Sequence, residues 1–448
     1  MSDVLKIKRG LDIRLVGKAE KEFSQVALPE HFAIKPSDFQ GLTPKMVAKP
    51  GDKVKAGTVL FVDKYRPEIK FVSPVSGELK AVNRGERRVI LEVVVESDHK
   101  MEHEDFGKSN VKSMNRAAVV EKLLASGAWV YLKQRPYNIL ANPAVTPRAI
   151  FVSTFDSAPL APDYDFVVKG QEAMFQAGLD VLKALTPKVY LGVHEQSMLK
   201  AFTNAANVEV HTFSGKHPVG NVGVQIHHVA PINAGEAVWT IQPQEIVSIG
   251  KLFSEGIHDF SRIVALTGSE VGKTGYVKTY LGASVSTMLK QNVESDNVRV
   301  ISGNVLTGSE IDKDGYLGYY HSQVTVIPEG NHYEFMGWAT PGFGKFSVSR
   351  SFFSWMCNKK EYKLDTNMHG AHRAFVVSDE LDKVLPMDIY SEYLFKAILA
   401  QDIDKMEQLG IYELVEEDVA LCEFVCTSKL DLQVMLRNGL NLMMKEVG

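Results

Sequence analysis

Only three cysteines, Cys357, Cys422 and Cys426, occur in 448 residues. Three thiols cannot supply the four thiolates that a [4Fe–4S] cluster normally takes, and the C-x-x-x-C spacing of the last two suits one face of a helix packed in a core. So few cysteines fit a reduced, cytosolic setting. No apolar run approaches the ~20 residues of a spanning helix. The opening residues lack an apolar signal core, so export is not expected. Blocks of like charge are missing too: 50 Lys and Arg face 54 Asp and Glu, for a net charge of −4. That balance argues against nucleic acid as a partner and leaves no polybasic membrane tether.

The chemistry-bearing motifs are also incomplete. Gly268-Ser269-Glu270-Val271-Gly272-Lys273-Thr274 has three residues between its glycines where a phosphate loop needs four. The following Gly275-Tyr276-Val277 reads as strand, so a hairpin turn is expected there. Gly215, Gly220 and Gly223 fall in G-x-x-x-x-G-x-x-G order with no clear helix after them, which argues against a dinucleotide fingerprint. Within that loop His217 and Gly220 stand as a candidate functional loop. His211, His217, His227 and His228 cluster, yet adjacent residues on a strand would face opposite ways, and no cysteine lies at ligand spacing; no metal ligand is assigned. Asp312-Lys313-Asp314-Gly315 lacks the third acid and the closing Glu of a calcium loop. With no G-x-S-x-G elbow and no H-E-x-x-H pair, no catalytic residue is assigned.

What is present speaks of several small cores. The length suggests about three or four domains, and a 45% hydrophobic content is ordinary for a globular chain. In residues 47–77, Pro50-Gly51-Asp52 and Pro74-Val75-Ser76-Gly77 are tight turns between short strands such as Val59-Leu60-Phe61-Val62. Two similar halves of this kind resemble the barrel-sandwich fold of biotinyl and lipoyl domains. In those domains a Lys at a hairpin tip carries the prosthetic group. Lys64 is the nearest counterpart, but Tyr65-Arg66-Pro67-Glu68-Ile69-Lys70 lengthens the hairpin, and an unmodified surface lysine is expected.

Further along, residues 113–124 have helical spacing. Ala149-Ile150-Phe151-Val152-Ser153, a helix over 171–185 ended by Pro187, and Val189-Tyr190-Leu191-Gly192 form a strand–helix–strand unit of a Rossmann-like α/β domain. Strand pairs around one helix at 282–289 suggest a β-grasp domain. Residues 331–385 are an extended aromatic- and Gly-rich region, and helices are expected over 389–399, 404–409, 416–425 and 430–444. The expected order is an N-terminal segment and sandwich (1–100), a Rossmann-like domain (101–256), a β-grasp domain (257–330), the extended region and a helical domain (386–448).

Trp129, Tyr131, Lys133, Arg135 and Tyr137 crowd aromatics and cations into nine residues. Two readings stand open. One is a half-buried strand with long side chains. The other is a quinone pocket: aromatic walls with Lys133 and Arg135 as donors to the carbonyls.

Lys49-Pro-Gly-Asp-Lys-Val-Lys-Ala-Gly57, Ser73-Pro-Val-Ser-Gly77, Gln134-Arg-Pro136, Arg148-Ala-Ile-Phe-Val152, Pro159-Leu-Ala-Pro-Asp163, His217-Pro218, Ile249-Gly-Lys-Leu-Phe253, Leu281-Gly-Ala-Ser284, Gly344-Lys-Phe-Ser-Val348 and Cys422-Glu-Phe-Val-Cys426 run in order along nearly the whole chain. Together they resemble the NqrA family of Na+-translocating NADH:quinone reductases. That family is similar to the RnfC component of Rnf-type complexes and to the flavoprotein of respiratory complex I. The resemblance implies a barrel-sandwich domain, a Rossmann-like domain, a β-grasp domain of the soluble-ligand-binding (SLBB) type and a helical end. It implies a peripheral subunit on the cytoplasmic face of the bacterial inner membrane. It would have no tightly bound cofactor, its flavin loop and cluster being depleted at Ser126-Gly127-Ala128-Trp129 and Cys422 to Cys426. Its complex would reduce ubiquinone or menaquinone, with NADH oxidation, flavins and iron–sulfur centre on other subunits. Its role is then quinone access or binding; the alternative is a purely structural adaptor.

Overall fold

The computed structural model describes residues 4–357 and 360–447. Residues 31–97 form a sandwich of two antiparallel sheets. His31–Ile34, Ile90–Ser97, Gly77–Arg84 and Lys53–Val54 make one; Pro44–Met46, Val59–Asp63 and Lys70–Val72 make the other. The Pro-Gly-Asp turn forms as its residues dictate: Gly51 takes φ +94°, and Asp52 Oδ2 accepts the Lys49 N–H at 2.7 Å. Lys64 is exposed in the hairpin after Val59–Asp63, its ammonium 5.6 Å from the Tyr65 ring.

The second unit is a seven-stranded sheet ordered Leu5–Ile7, Glu209–Gly215, Val189–His194, Ala149–Ser153, Val238–Thr240, Lys133–Arg135 and Ile139–Leu140. The first five strands run parallel and the last two pairings are antiparallel. The chain lays Val189–His194 and then Glu209–Gly215 outward from Ala149–Ser153. It then returns to place Val238–Thr240 on the opposite flank, so the winding direction reverses between Ala149–Ser153 and Val238–Thr240. Helices Glu172–Leu185 and Pro243–Glu255 cross at glycines: a Cβ on Gly178 would overlap the Ile246 carbonyl oxygen, and one on Gly250 that of Met174.

Three local expectations give way here. Residues 128–131 form a single 3-10 turn, not a strand, and only Lys133–Arg135 is extended. Gly127 at φ +73° starts the turn, and Ala128, Trp129, Val130 and Tyr131 are all buried, so no alternation survives. Val222–Val229 is a helix directly after the glycine loop, where none was expected; it packs on Ala149–Ser153. His227 and His228 therefore lie on a helix, not a strand. His227 binds Glu413 at 2.8 Å and accepts the Asp388 N–H at 3.0 Å; Nδ1 of His228 lies 2.9 Å from the Val224 carbonyl.

The third sheet runs Gly275–Tyr280, Ser261–Thr267, Gln323–Pro328, Val298–Ser302 and Ser309–Ile311, a mixed β-grasp arrangement. Residues 268–274 are the hairpin turn between its first two strands. The expected helix over 282–289 shrinks to Ser286–Leu289, because the backbone of 282–284 is committed to the sandwich: Ala33 N–H donates to Gly282, and Ser284 N–H to His31. Among the described residues of 331–385 the helical structure is two single 3-10 turns, Gly337–Ala339 and Phe353–Met356.

Ser391–Ala400, Ile403–Gln408, Glu416–Val425 and Leu432–Glu446 make the helical end around Leu394, Phe395, Met406, Val419, Leu436 and Leu440. Cys422 and Cys426 are buried in that core and Cys357 is exposed. Among the described residues no helix is long and apolar enough to cross a membrane.

Candidate functional site

In a doubly wound sheet the reversal of strand order leaves a crevice at the carboxyl ends of the strands. Here a cleft of about 170 Å³ opens at that place. Residues following Ala149–Ser153 and Val238–Thr240 line it, with the glycine loop after Glu209–Gly215. The β-grasp unit closes it with Asn304, Leu306, Thr307 and Tyr320, and the helical end adds Glu417. A larger groove of about 560 Å³ lies between residues 23–26 and helix Pro243–Glu255, where Lys251 and Asp259 pair at 2.5 Å. We place the site in the smaller cleft because unsatisfied buried polar atoms gather around it: His217 Nε2, Gln242 Oε1 and Glu245 Oε1 make no hydrogen bond among the described residues. Such atoms are uncommon in folded proteins and call for a partner, water or a bound group.

The glycine loop sets the first of them. His217 is 4% exposed, and its Nδ1 lies 3.0 Å from Ser157 Oγ. Gly220 N–H donates to the same oxygen at 2.8 Å. Ser157 Oγ keeps a second lone pair and its own proton, so it can serve Nδ1 as acceptor or as donor. Burial pulls the His217 pKa down to about 4, so the ring is uncharged at neutral pH, and its Nε2 makes no hydrogen bond among the described residues. Gly220 is required for contact, not for φ: a Cβ there would come within 2.5 Å of the Ser157 amide nitrogen.

Lys133 faces the cleft from the antiparallel strand, opposite Thr240. Its Nζ lies 3.7 Å from the Tyr320 ring centroid and makes no hydrogen bond among the described residues. Burial pulls its pKa down, against the opposing pull of Glu245 and the glutamates of the helical end. Glu245, at the start of helix Pro243–Glu255, accepts the Gln242 N–H at 3.0 Å and lies 3.6 Å from Arg262. Burial outweighs both and pushes its carboxyl up. Burial likewise pushes Asp156 up to about 6. The cleft thus holds an imidazole nitrogen without a partner, a lysine amine against an aromatic face, and carboxyls shifted toward neutrality.

Of the residues singled out from sequence, Tyr131, Lys133, Arg135, His217 and Gly220 all line this cleft; Trp129 and Tyr137 do not. Trp129 is core, its ring 5.3 Å from Trp239 and its indole N–H donating to the Ala141 carbonyl. Tyr137 packs on Tyr412 in the helical end. The Tyr131 hydroxyl lies 3.1 Å from His258 Nε2. Arg135 is 2% exposed and already engaged: it binds Asp418 at 2.7 Å and also pairs with Glu417. Its guanidinium clamps the Glu416–Val425 helix to the sheet and is not a free donor. Sequence reasoning missed Ser157, Asp156 and Glu245, which carry no motif. A Pro243-x-Glu245 helix start does read as a first-turn acid, but as a cap rather than a cleft wall. Among the described residues no three His, Cys, Asp or Glu side chains are grouped to hold a metal. Ser126, Ala128 and Trp129 are buried, and a Cβ on Gly127 would lie 2.8 Å from the Val72 side chain, so this turn is packed against the sandwich.

Comparison with known proteins matches residues 5–98 to an NqrA N-terminal barrel-sandwich hybrid domain, 114–258 to an NqrA second alpha/beta domain and 263–313 to an NQRA C-terminal domain. The chain is 37% identical to the NqrA protein of the Na(+)-translocating NADH-quinone reductase of Yersinia pestis bv. Antiqua (strain Angola), over 99% of this chain and all of that one. It is 38% identical to the corresponding protein of Vibrio vulnificus (strain YJ016), with the same coverage. Among solved structures it resembles an NAD+-reducing [NiFe]-hydrogenase in the H2-reduced state at 11% identity and a TM-score of 0.38, covering 75% of this chain and 64% of that one.

Proposed function

Because the chain belongs to the NqrA family, whose members are subunits of the Na(+)-translocating NADH-quinone reductase, an oxidoreductase complex, we propose that its cleft at the strand-order reversal receives the quinone head group. One atom carries the proposal: Nε2 of His217, buried and without a partner among the described residues, which can donate when Nδ1 accepts from the Ser157 hydroxyl. A quinone head is flat and apolar with a carbonyl oxygen at each end, so it wants aromatic or aliphatic walls and one donor per oxygen. His217 offers one donor and Lys133 the other, while Tyr164, Ile241, Leu306 and Tyr320 offer walls. The ammonium of Lys133 also favours the negative charge that develops on a carbonyl oxygen during reduction. At about 170 Å³ the cleft suits a single ring; drug-sized sites start at roughly 300 Å³.

The chain then works as a peripheral subunit on the cytoplasmic face of the inner membrane. It carries no tightly bound redox group and serves quinone access, while NADH, flavins and iron–sulfur chemistry stay with partner subunits. The test is photo-crosslinking of the assembled complex with a reactive quinone analogue, beside steady-state kinetics of Lys133→Met and His217→Phe. A hydrogen bond to a charged group contributes about 1.5–3 kcal/mol. Lys133→Met should therefore raise the KM for quinone about ten- to a hundredfold, and label should fall on residues 131–135 or 217–222. Label confined to other subunits, with both variants kinetically normal, would leave the chain a structural adaptor.

A further inference from the structure

The described residues are unevenly wet. Between 333 and 356 the chain exposes Tyr333, Phe335, Trp338, Phe343, Phe353 and Trp355, with Phe335 91% and Trp338 80% exposed. Large apolar side chains scattered singly on a surface need no explanation, but six exposed aromatics within one short segment call for one. Trp, Tyr, Phe, Met and Arg are also the residues enriched where protein interfaces concentrate their binding energy.

Charge narrows the kind of partner. Over 333–356 the sequence holds Lys345 and Arg350 against one acid, Glu334, on a chain whose net charge is −4. Lys345 is answered by Glu334 at 2.5 Å. Arg350 lies 5.7 Å from the Trp355 ring and has no acidic partner among the described residues. An isologous contact between two copies would bring Arg350 to a surface whose one carboxylate, Glu334, is already held by Lys345. A lipid surface fits the charge but not the backbone: the segment has only two single 3-10 turns, and hydrocarbon leaves the open N–H and C=O groups of irregular chain unsatisfied. A protein groove can satisfy them.

Ion translocation, which the name of the family states, needs a bilayer-spanning chain, and no described helix here can span. We propose that residues 333–356 form the surface by which this chain docks onto a membrane-embedded subunit of the same complex, in an apolar groove edged with carboxylates. The proposal rests on membership of that complex and not on where quinone binds.

Four tryptophans make the test direct: Trp129 and Trp239 are fully buried, while Trp338 and Trp355 lie in the segment. The full chain is labelled with 5-hydroxytryptophan, excited beyond the absorption of ordinary tryptophan, and quenched with acrylamide. Quenching is compared for the free chain, for the chain added to vesicles holding the remaining subunits, and for the chain added to protein-free anionic phospholipid vesicles. The quenchable fraction should disappear only with the vesicles that hold those subunits. A chain carrying Phe335→Asp and Trp338→Ala, with an unchanged melting temperature, should bind those vesicles at least tenfold more weakly. Equal protection by lipid alone, continued quenching in the assembled complex, or unaltered binding of the double variant would each overturn the proposal.

Discussion

Replacing Arg135 by Met tests what that residue does. Its guanidinium is buried and holds the side chain of Asp418, which is fully buried, at 2.7 Å; Asp418 Oδ2 also accepts the Val415 N–H at 3.0 Å. Gly223 leaves room for this pair, since a Cβ there would overlap both partners. Removing one partner of a buried ion pair leaves an uncompensated charge and costs about 3–5 kcal/mol, whereas removing both is far milder. The Glu417 contact adds little, because that carboxylate is partly in water. The loss falls on the Glu416–Val425 helix, which holds Cys422 in its buried face, while Cys357 is exposed. Thiol labelling under native conditions therefore reads it directly. One thiol reacts fast in both proteins. Labelling of Cys422 by local opening should accelerate about 10²- to nearly 10⁴-fold in Arg135→Met, since 1.4 kcal/mol is a factor of ten. The double variant Arg135→Met with Asp418→Leu should recover most of that. Unchanged Cys422 labelling in the single variant, or additive losses in the double, would refute the clamp.

Two further outcomes follow from packing and burial. Gly250→Ala places a methyl on the Met174 carbonyl and should cost at least about 1–3 kcal/mol by chemical denaturation; Gly344→Ala, with open space around it, should stay within about 0.5 kcal/mol. His258 is buried, with Nδ1 2.8 Å from the Ser126 carbonyl and Nε2 3.1 Å from the Tyr131 hydroxyl, and burial pulls its pKa down to about 4. A histidine depressed in the fold binds fewer protons there than when unfolded, so its contribution is whole above about 6.5 and is lost as pH falls toward 4. Melting temperature should drop across that window, and His258→Gln should flatten the drop by up to about 3 kcal/mol, against the opposite trend of Asp156. An identical pH profile in the variant would show that the fold does not depress the His258 pKa.

The degree to which the sequence foretold the structure depended on whether a signal was local. Pro-Gly-Asp turns and the 3.6-residue stripes of Glu172–Leu185 and Leu432–Glu446 are local physics, and these elements form where their residues indicate. The helix Val222–Val229 was missed because glycines and paired histidines hide its short apolar face. The turn at 128–131 was missed because a fully buried turn and a buried strand can share one composition. The site divides along the same line. Lys133, His217 and Gly220 were visible one by one as unusual residues. That they meet follows from the reversal of strand order, which brings the distant strand ends Ser153 and Thr240 to one crevice. Arg135 shows the cost of reading a cation without its partner. An arginine beside aromatics looks like a donor waiting for a ligand, yet the carboxylate that occupies it lies 283 positions away and sends no signal to its neighbourhood. Lys133, two residues earlier on the same strand, meets an aromatic face in place of a carboxylate. Of these two cations, therefore, Lys133 is the one left free to act on a bound molecule.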